Sequence, residues 1–277
     1  GRAARGAAAG ARAAILLAMV SLPLRSSVAL LLALLVLVPA ACGPGGTPRR
    51  DLVLVLADSS DGAGPAYLAR RAEGLALRGG LRRDATPLPT PLELRIELYT
   101  SRRDEGFLEE VHPPLPHLPS AVNRSGRASF GLSTPTGLVP ERGFDPAFEV
   151  PGQPESRALR RLAADELAPA LRAGLDELDA DTGADRPPAF VLADLAGAEP
   201  AELDALLTAL APELDAAHLF VYFTDPTSPD RMLLAGPGLP KGERNAAVDP
   251  RDLFPTVAIL ARVPVPGTVQ GVDLLAD

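Results

Sequence analysis

Three short runs of consecutive apolar β-formers stand out along the chain, at residues 52–57, 189–193 and 219–223. None alternates with polar residues, so each reads as a strand buried on both faces. Helical spacing takes over between them. It is visible at residues 68–77 and at residues 157–178, where Leu159, Leu162, Leu167, Leu171, Leu175 and Leu178 fall mostly on one face. Pro169 is expected to kink or divide the second helix, because an interior proline removes one hydrogen bond and crowds the preceding turn. Residues 200–210 open with Pro200 at a first helical position and repeat Leu203, Leu206, Leu207 and Leu210. The proline-rich stretches 86–91 and 111–119 read as extended loops. Helices alternating with fully buried strands predict an α/β fold, with a mostly parallel central sheet and helices on both faces.

Composition narrows the function classes. With 277 residues, 47% of them hydrophobic, the chain can bury the core of one ordinary domain, which argues against disorder throughout. The net charge is −8, and residues 1–41 hold four arginines (Arg2, Arg5, Arg12 and Arg25) and no acid, so the remainder carries −12. Such a domain repels phosphate backbones, which argues against a nucleic-acid partner. A single cysteine excludes an internal disulfide and any cysteine-based zinc site.

That cysteine has a context of its own. An unbroken apolar run of eleven residues, 28–38, follows Arg25 and leads into Pro39-Ala40-Ala41-Cys42-Gly43. The run is too short to span a bilayer comfortably. A basic start, a short apolar stretch and small residues before a cleavage point read as a signal peptide over residues 1–41, with Met19 an alternative start. Cys42 directly after Ala-Ala resembles a bacterial lipoprotein signal and would be the lipidated residue, although Pro39 departs from that pattern. The other reading is an uncleaved membrane anchor. Either way the chain lies outside the cytoplasm, with residues 42–50 a flexible tether to a domain over 51–277 in the cell envelope or periplasm, tied to the membrane by a lipid or the anchor, or secreted.

Each of the three strands runs directly into an aspartate, Asp58, Asp194 or Asp225. In open parallel sheets the functional crevice lies beyond the carboxyl ends of the strands. Carboxylates gathered there must take up a proton, turn to solvent or share a cation, and a hard divalent ion is the specific expectation. The competing reading makes them caps or turn residues, a common use of Asp where a strand hands over to a turn.

Read in order, the chain resembles the sulfatase family of the alkaline-phosphatase-like superfamily from Asp51 onward. The strand ending in Asp58 resembles the family's first strand, which ends in a metal-binding Asp. Arg142-Gly143-Phe144-Asp145 resembles its Gly-Phe-Asp, and Phe223-Thr224-Asp225-Pro226 stands where relatives carry Thr-Ser-Asp-His. The tail is the most specific match: Ala235-Gly236-Pro237-Gly238, then Asp252-Leu253-Phe254-Pro255-Thr256, then Gly271-Val272-Asp273-Leu274-Leu275. The resemblance implies the α/β sandwich of that family without its small C-terminal subdomain.

The chemical positions depart from the family pattern. Sulfatases carry a Cys or Ser, converted to formylglycine, whose hydrate attacks while held on a divalent cation, and a nearby Arg compensates charge. The matching stretch here runs from Pro91 to Ser101. Arg95 and Thr100 agree, but Pro91 stands at the nucleophile position and has no atom to attack with. Shifting the register by one offers the Thr90 hydroxyl as a phosphatase-like nucleophile and misplaces Arg95. Among the metal ligands only Asp58 and Asp225 match; the His after the later Asp is Pro226, and the family's Asp-Pro-His is Asp194-Leu195-Ala196. Two carboxylates are few for Ca²⁺ or Mg²⁺, which take six or more oxygens. His112 and His117 are expected at the surface of a proline-rich loop, His218 at the start of a strand, and Arg231 beside Asp230 in a surface pair.

The favoured expectation is therefore an extracytoplasmic sulfatase-like protein that has lost sulfuric-ester hydrolysis and binds an envelope partner or an anionic ester. The alternative is an active metal-dependent sulfate or phosphate ester hydrolase using Thr90 or a metal-bound water. It would have Asp58 and Asp225 as ligands to Ca²⁺ or Mg²⁺ and Arg95 on the anion. A fragment without a stable fold is the third possibility.

Overall fold

Leu52–Ala57 forms β1, six residues that are all buried, in the middle of the sheet. The computed structural model describes residues 50–80, 90–101, 117–138, 157–182, 188–225 and 227–276, all within the compact unit Arg49–Asp277. The other strands are β2 (Leu75–Leu77), β3 (Ala128–Ser133), β4 (Arg157–Arg161), β5 (Ala189–Asp194), β6 (His218–Phe223), β7 (Met232–Ala235) and β8 (Gly242–Arg244). Among the described residues they build one sheet in the order β4-β3-β5-β1-β6-β7-β2-β8, in which β7 alone runs against the rest. The helices are α1 (Pro65–Glu73), α2 (Pro91–Thr100), α3 (Leu118–Asn123), α4 (Ala164–Thr182), α5 (Pro200–Leu214) and α6 (Leu253–Ala261), with a 3-10 turn at Pro250–Asp252.

Successive residues of a strand point to opposite faces, and β1 divides its apolar side chains accordingly. Leu52, Leu54 and Leu56 join Ile96 of α2, Val122 of α3 and Phe254 of α6 in one core layer. Val53 and Val55 join Tyr67 of α1, Leu171 of α4 and Leu206 of α5 in the other. The expected α/β architecture, mostly parallel with helices on both faces, is the one observed.

Four expectations about individual segments need correction. The helix expected over 68–77 starts earlier and ends at Glu73, and the last three residues are β2, inserted between β7 and β8. Residues 157–161 are not helical but form β4, which pairs in parallel with β3 at the sheet edge. Pro169 does not divide α4, which is one continuous helix of 19 residues with Pro169 at an exposed position in its second turn. The proline-rich stretches do not stay extended to their ends, because Pro91 and Pro119 enter the first turns of α2 and α3, where the lost N–H has no partner to lose. Residues 86–89 and 111–116 of those stretches, with His112, lie outside the described residues, as do the signal, residues 42–49 of the tether with Cys42, and the Gly-Phe-Asp at 143–145.

Local polar contacts set the ends of the elements. Gly64 precedes α1 and has no side chain to cap it. The cap comes instead from α5, where Asp204 accepts from the N–H groups of Ala66 at 2.7 Å and Tyr67 at 3.1 Å. A Cβ on Gly64 would lie 2.5 Å from the Asp204 carboxyl carbon, so glycine is what lets this carboxylate approach. Asp204→Ala is expected to cost about 1–2 kcal/mol, the range of a lost N-cap, read from the urea unfolding midpoint.

His218 opens β6, as expected, with its ring buried against Gly236. Its Nε2 lies 3.2 Å from the Pro237 carbonyl, and Nδ1 has no hydrogen-bond partner among the described residues. Burial holds the imidazole below its ordinary value; the carbonyl contact opposes this, and the charges of Arg50 and Arg127 add to it. The unfolded chain therefore takes up the proton first, and stability should fall as pH drops below about 6.5. His218→Leu should flatten that part of the curve of unfolding midpoint against pH.

Candidate functional site at the strand ends

The parallel strands deliver Asp58 after β1, Asp194 at the end of β5 and Asp225 after β6 to the same end of the sheet. Main-chain bonds hold the three exits together: the N–H of Leu195 donates to the Leu56 carbonyl at 2.8 Å, and that of Asp225 to the Asp58 carbonyl at 2.7 Å. From above, α2 directs Arg95 down onto the cluster. This helix is fixed at its start by a capping box, in which the Thr90 hydroxyl accepts from the Glu93 N–H at 3.2 Å and the Glu93 carboxylate accepts from the Thr90 N–H at 2.5 Å.

Asp194 is fully buried and Arg95 is 3% exposed. Arg95 Nε donates to Asp194 Oδ2 at 2.8 Å and Nη2 to Oδ1 at 3.0 Å, a bidentate pair. Two backbone donors complete the carboxylate: the Leu138 N–H on Oδ2 at 2.9 Å and the Ala196 N–H on Oδ1 at 3.1 Å. An ionised carboxylate offers about four lone-pair sites, and here four donors fill them. Gly137 makes the approach of Leu138 feasible, since a Cβ there would lie 2.5 Å from both Asp194 Oδ2 and Ser133 Oγ. Burial disfavours the Arg95 charge, and the facing carboxylates Asp194 and Asp58 outweigh it, so the guanidinium is held above its ordinary value.

Asp58 is more open, with its side chain 42% exposed. Its Oδ1 accepts from the Thr224 hydroxyl at 3.0 Å and reaches Arg95 Nη2 at 3.5 Å, and its Oδ2 accepts from the Gly197 N–H at 2.8 Å. Gly197 has a φ of 70°, a left-handed conformation suited to glycine, which turns this N–H toward the carboxylate. Asp225 turns back onto its own loop, its Oδ1 accepting from the N–H and the hydroxyl of Thr227, both at 2.7 Å.

The arrangement does not suit the divalent cation that the family resemblance implies. Among the described residues no three His, Cys, Asp or Glu side chains gather to hold a metal. Asp194 has its lone pairs committed, Asp58 shares one oxygen with a guanidinium, and Asp225 serves its turn. Too few oxygens remain for an ion that takes six or more.

Of the residues singled out in the sequence, Asp58 and Arg95 are brought together, and Asp225 joins them only through the main chain. Thr90 caps α2, and among the described residues its side chain bonds only Glu93. Pro226 lies outside the described residues. His117 is not solvated: it is 7% exposed, precedes α3, and its ring lies 5.5 Å from that of Tyr99. Arg231 and Asp230 are not a surface pair. Both are buried; Asp230 accepts from Tyr67 at 2.5 Å and Arg71 at 2.7 Å, and Arg231 Nη1 donates to the Phe223 carbonyl at 2.6 Å. The donors Leu138, Ala196 and Gly197 carry no sequence signal, because they act through the backbone; Thr224 was visible only as the neighbour of Asp225. Among the described residues no helix is long and apolar enough to cross a membrane.

Similarity to known proteins is confined to structure. No family model matches the chain, and no curated protein matches it in sequence. Solved structures do. PsFucS1 sulfatase from Pseudoalteromonas sp. aligns with a TM-score of 0.53 at 14% identity over 83% of this chain and 72% of its own. The phosphonate monoester hydrolase of Agrobacterium radiobacter gives 0.55 at 13% over 82% and 76%. A protein in the alkaline phosphatase superfamily from Vibrio parahaemolyticus gives 0.56 at 11% over 84% and 71%. At these identities the likeness is one of fold: the chain has the fold seen in sulfatases and alkaline-phosphatase-superfamily proteins.

Proposed function

We propose that this protein is a sulfatase-like domain of the cell envelope that has lost sulfuric-ester hydrolysis and acts by binding an envelope partner or an anionic ester. The observation that carries this reading is the closed carboxylate cluster, in which Arg95 and backbone donors take the lone pairs that a catalytic cation would need. Pro91 at the nucleophile position agrees with it, since proline offers no attacking atom. Attachment to the envelope through lipidated Cys42 rests on the resemblance of residues 28–43 to a lipoprotein signal.

The test is an ester-hydrolase screen with nitrophenyl sulfate, phosphate and phosphonate esters, with and without Ca²⁺, Mg²⁺, Mn²⁺ and Zn²⁺. It is paired with calorimetric titration of the same ions against wild type, Asp58→Ala and Asp225→Ala. Neither turnover nor micromolar metal binding is expected. One observation favours the alternative of an active hydrolase: the Thr90 hydroxyl stands at the N-terminus of α2, where a developing negative charge is stabilised. Metal-dependent turnover abolished by Thr90→Ala would establish that alternative. Cys42→Ser should move the protein from the membrane fraction to the soluble one; unchanged fractionation would refute the lipid anchor.

A further inference from the structure

We infer that Arg95 holds the place of a divalent cation, and that its guanidinium keeps this end of the sheet from binding one. The inference rests on the reading of the site as metal-free given above. Arg95 Nε and Nη2 stand 2.8 and 3.0 Å from the two oxygens of Asp194, and Nη2 stands 3.5 Å from Asp58 Oδ1. One planar cation thus bridges carboxylates from two adjacent parallel strands, β1 and β5, at their carboxyl ends. Asp194 is fully buried, and a buried carboxylate without a counter-charge is strongly disfavoured, so the guanidinium fills the place that a cation would take.

The rest of the cluster stays in place without Arg95. Asp194 is positioned by the N–H groups of Leu138 and Ala196, and Asp58 by Gly197 and Thr224, none of which depends on the guanidinium. Shortening Arg95 to alanine would therefore leave three fixed carboxylate oxygens around a vacated volume that water can enter. Three carboxylate oxygens completed by waters form a recognisable environment for a hard cation.

The experiment follows thermal unfolding of the full chain as wild type, Arg95→Ala and the double variant Arg95→Ala/Asp194→Asn, each in EDTA and in millimolar Ca²⁺, Mg²⁺ or Mn²⁺. Wild type should melt at the same temperature in all of them. Arg95→Ala should melt roughly 6–15 °C lower in EDTA and recover most of that loss in at least one divalent ion. The double variant should not respond to the ion. A wild-type shift on adding an ion would overturn the proposal, since Arg95 would not be excluding it. Folded Arg95→Ala that ignores all three ions, or a double variant that responds as the single one does, would overturn it as well. If Arg95→Ala does not fold in EDTA, refolding from urea decides: recovery that requires an ion supports the proposal, and failure with every ion overturns it. Ester hydrolysis by wild type in EDTA would refute the inactive-enzyme reading without bearing on these melting shifts, whereas an ion-induced shift of wild type without turnover would overturn only the present inference, so the two failures are distinguishable.

Discussion

Asp194→Ala should destabilise the protein by about 3–5 kcal/mol, the cost of breaking a buried ion pair while leaving one partner charged. The magnitude follows from burial. Arg95 is 3% exposed and held by both oxygens of a fully buried carboxylate, so removing that carboxylate strands a guanidinium that water reaches poorly. Two N–H groups, of Leu138 and Ala196, lose their acceptor in the same stroke. Asp58→Ala supplies the contrast within the same cluster. Its side chain is 42% exposed and lies at the 3.5 Å edge of the same guanidinium, so loss of that ion pair should cost at most about 1 kcal/mol. Urea unfolding of both variants checks the pair of values; equal losses would show that Asp194 and Arg95 are not the anchor of this end of the sheet.

The second large effect is expected at the opposite extreme of the chain, where the tail is laced onto α2 and α6. The Ser101 carbonyl accepts from the Gln270 N–H at 3.0 Å, and the Ser101 hydroxyl donates to the Arg251 carbonyl at 2.7 Å. Asp252 Oδ1 accepts from the Val272 N–H at 2.9 Å, and the Thr256 hydroxyl from the Leu274 N–H, also at 2.9 Å. Gly271 passes so close to the turn before α6 that a Cβ would lie 2.0 Å from the Arg251 carbonyl oxygen. Backbone cannot yield as a side chain tip does. Gly271→Ala should therefore push the tail away and break neighbouring bonds, costing about 2–4 kcal/mol. Urea unfolding gives the loss, and limited proteolysis should trim the C-terminus of the variant before that of wild type. An unfolding midpoint equal to that of wild type would mean that the tail repacks freely.

The sheet was legible where its strands are buried on both faces. Residues 52–57, 189–193 and 219–223 combine β-forming side chains with five or six residues of unbroken apolarity, long enough to be read as buried strands. Two other strands were not legible. β4 holds Leu159 in register with the leucines of α4, so helical spacing runs on through a strand whose identity depends on β3 beside it. β2 is three residues long, too short for any period, and follows α1 almost without a break. The same division holds at the site. Asp58, Asp194 and Asp225 could be placed at strand ends because the strands were visible, and Arg95 could be singled out through its family-like setting. That Arg95 meets Asp194, and that Asp204 of α5 caps α1, are contacts between segments far apart in sequence. Such contacts follow from the packing of whole elements and leave no local trace.

The central position of β1 has a consequence during synthesis. It is the first strand of the described residues to leave the ribosome, yet its two neighbours begin with partners Phe190 and His218. At elongation rates of about 5–20 residues per second, Leu52–Ala57 would wait roughly 10–30 s for both edges to be covered. Throughout that interval a six-residue apolar ribbon without charge, proline or glycine stands open to other nascent chains. A single serine or threonine placed in β1 would shorten no delay, but it would lower the tendency of the unfinished chain to pair with its neighbours. The native strand has none, so β1 stays an apolar pairing edge until β6 arrives.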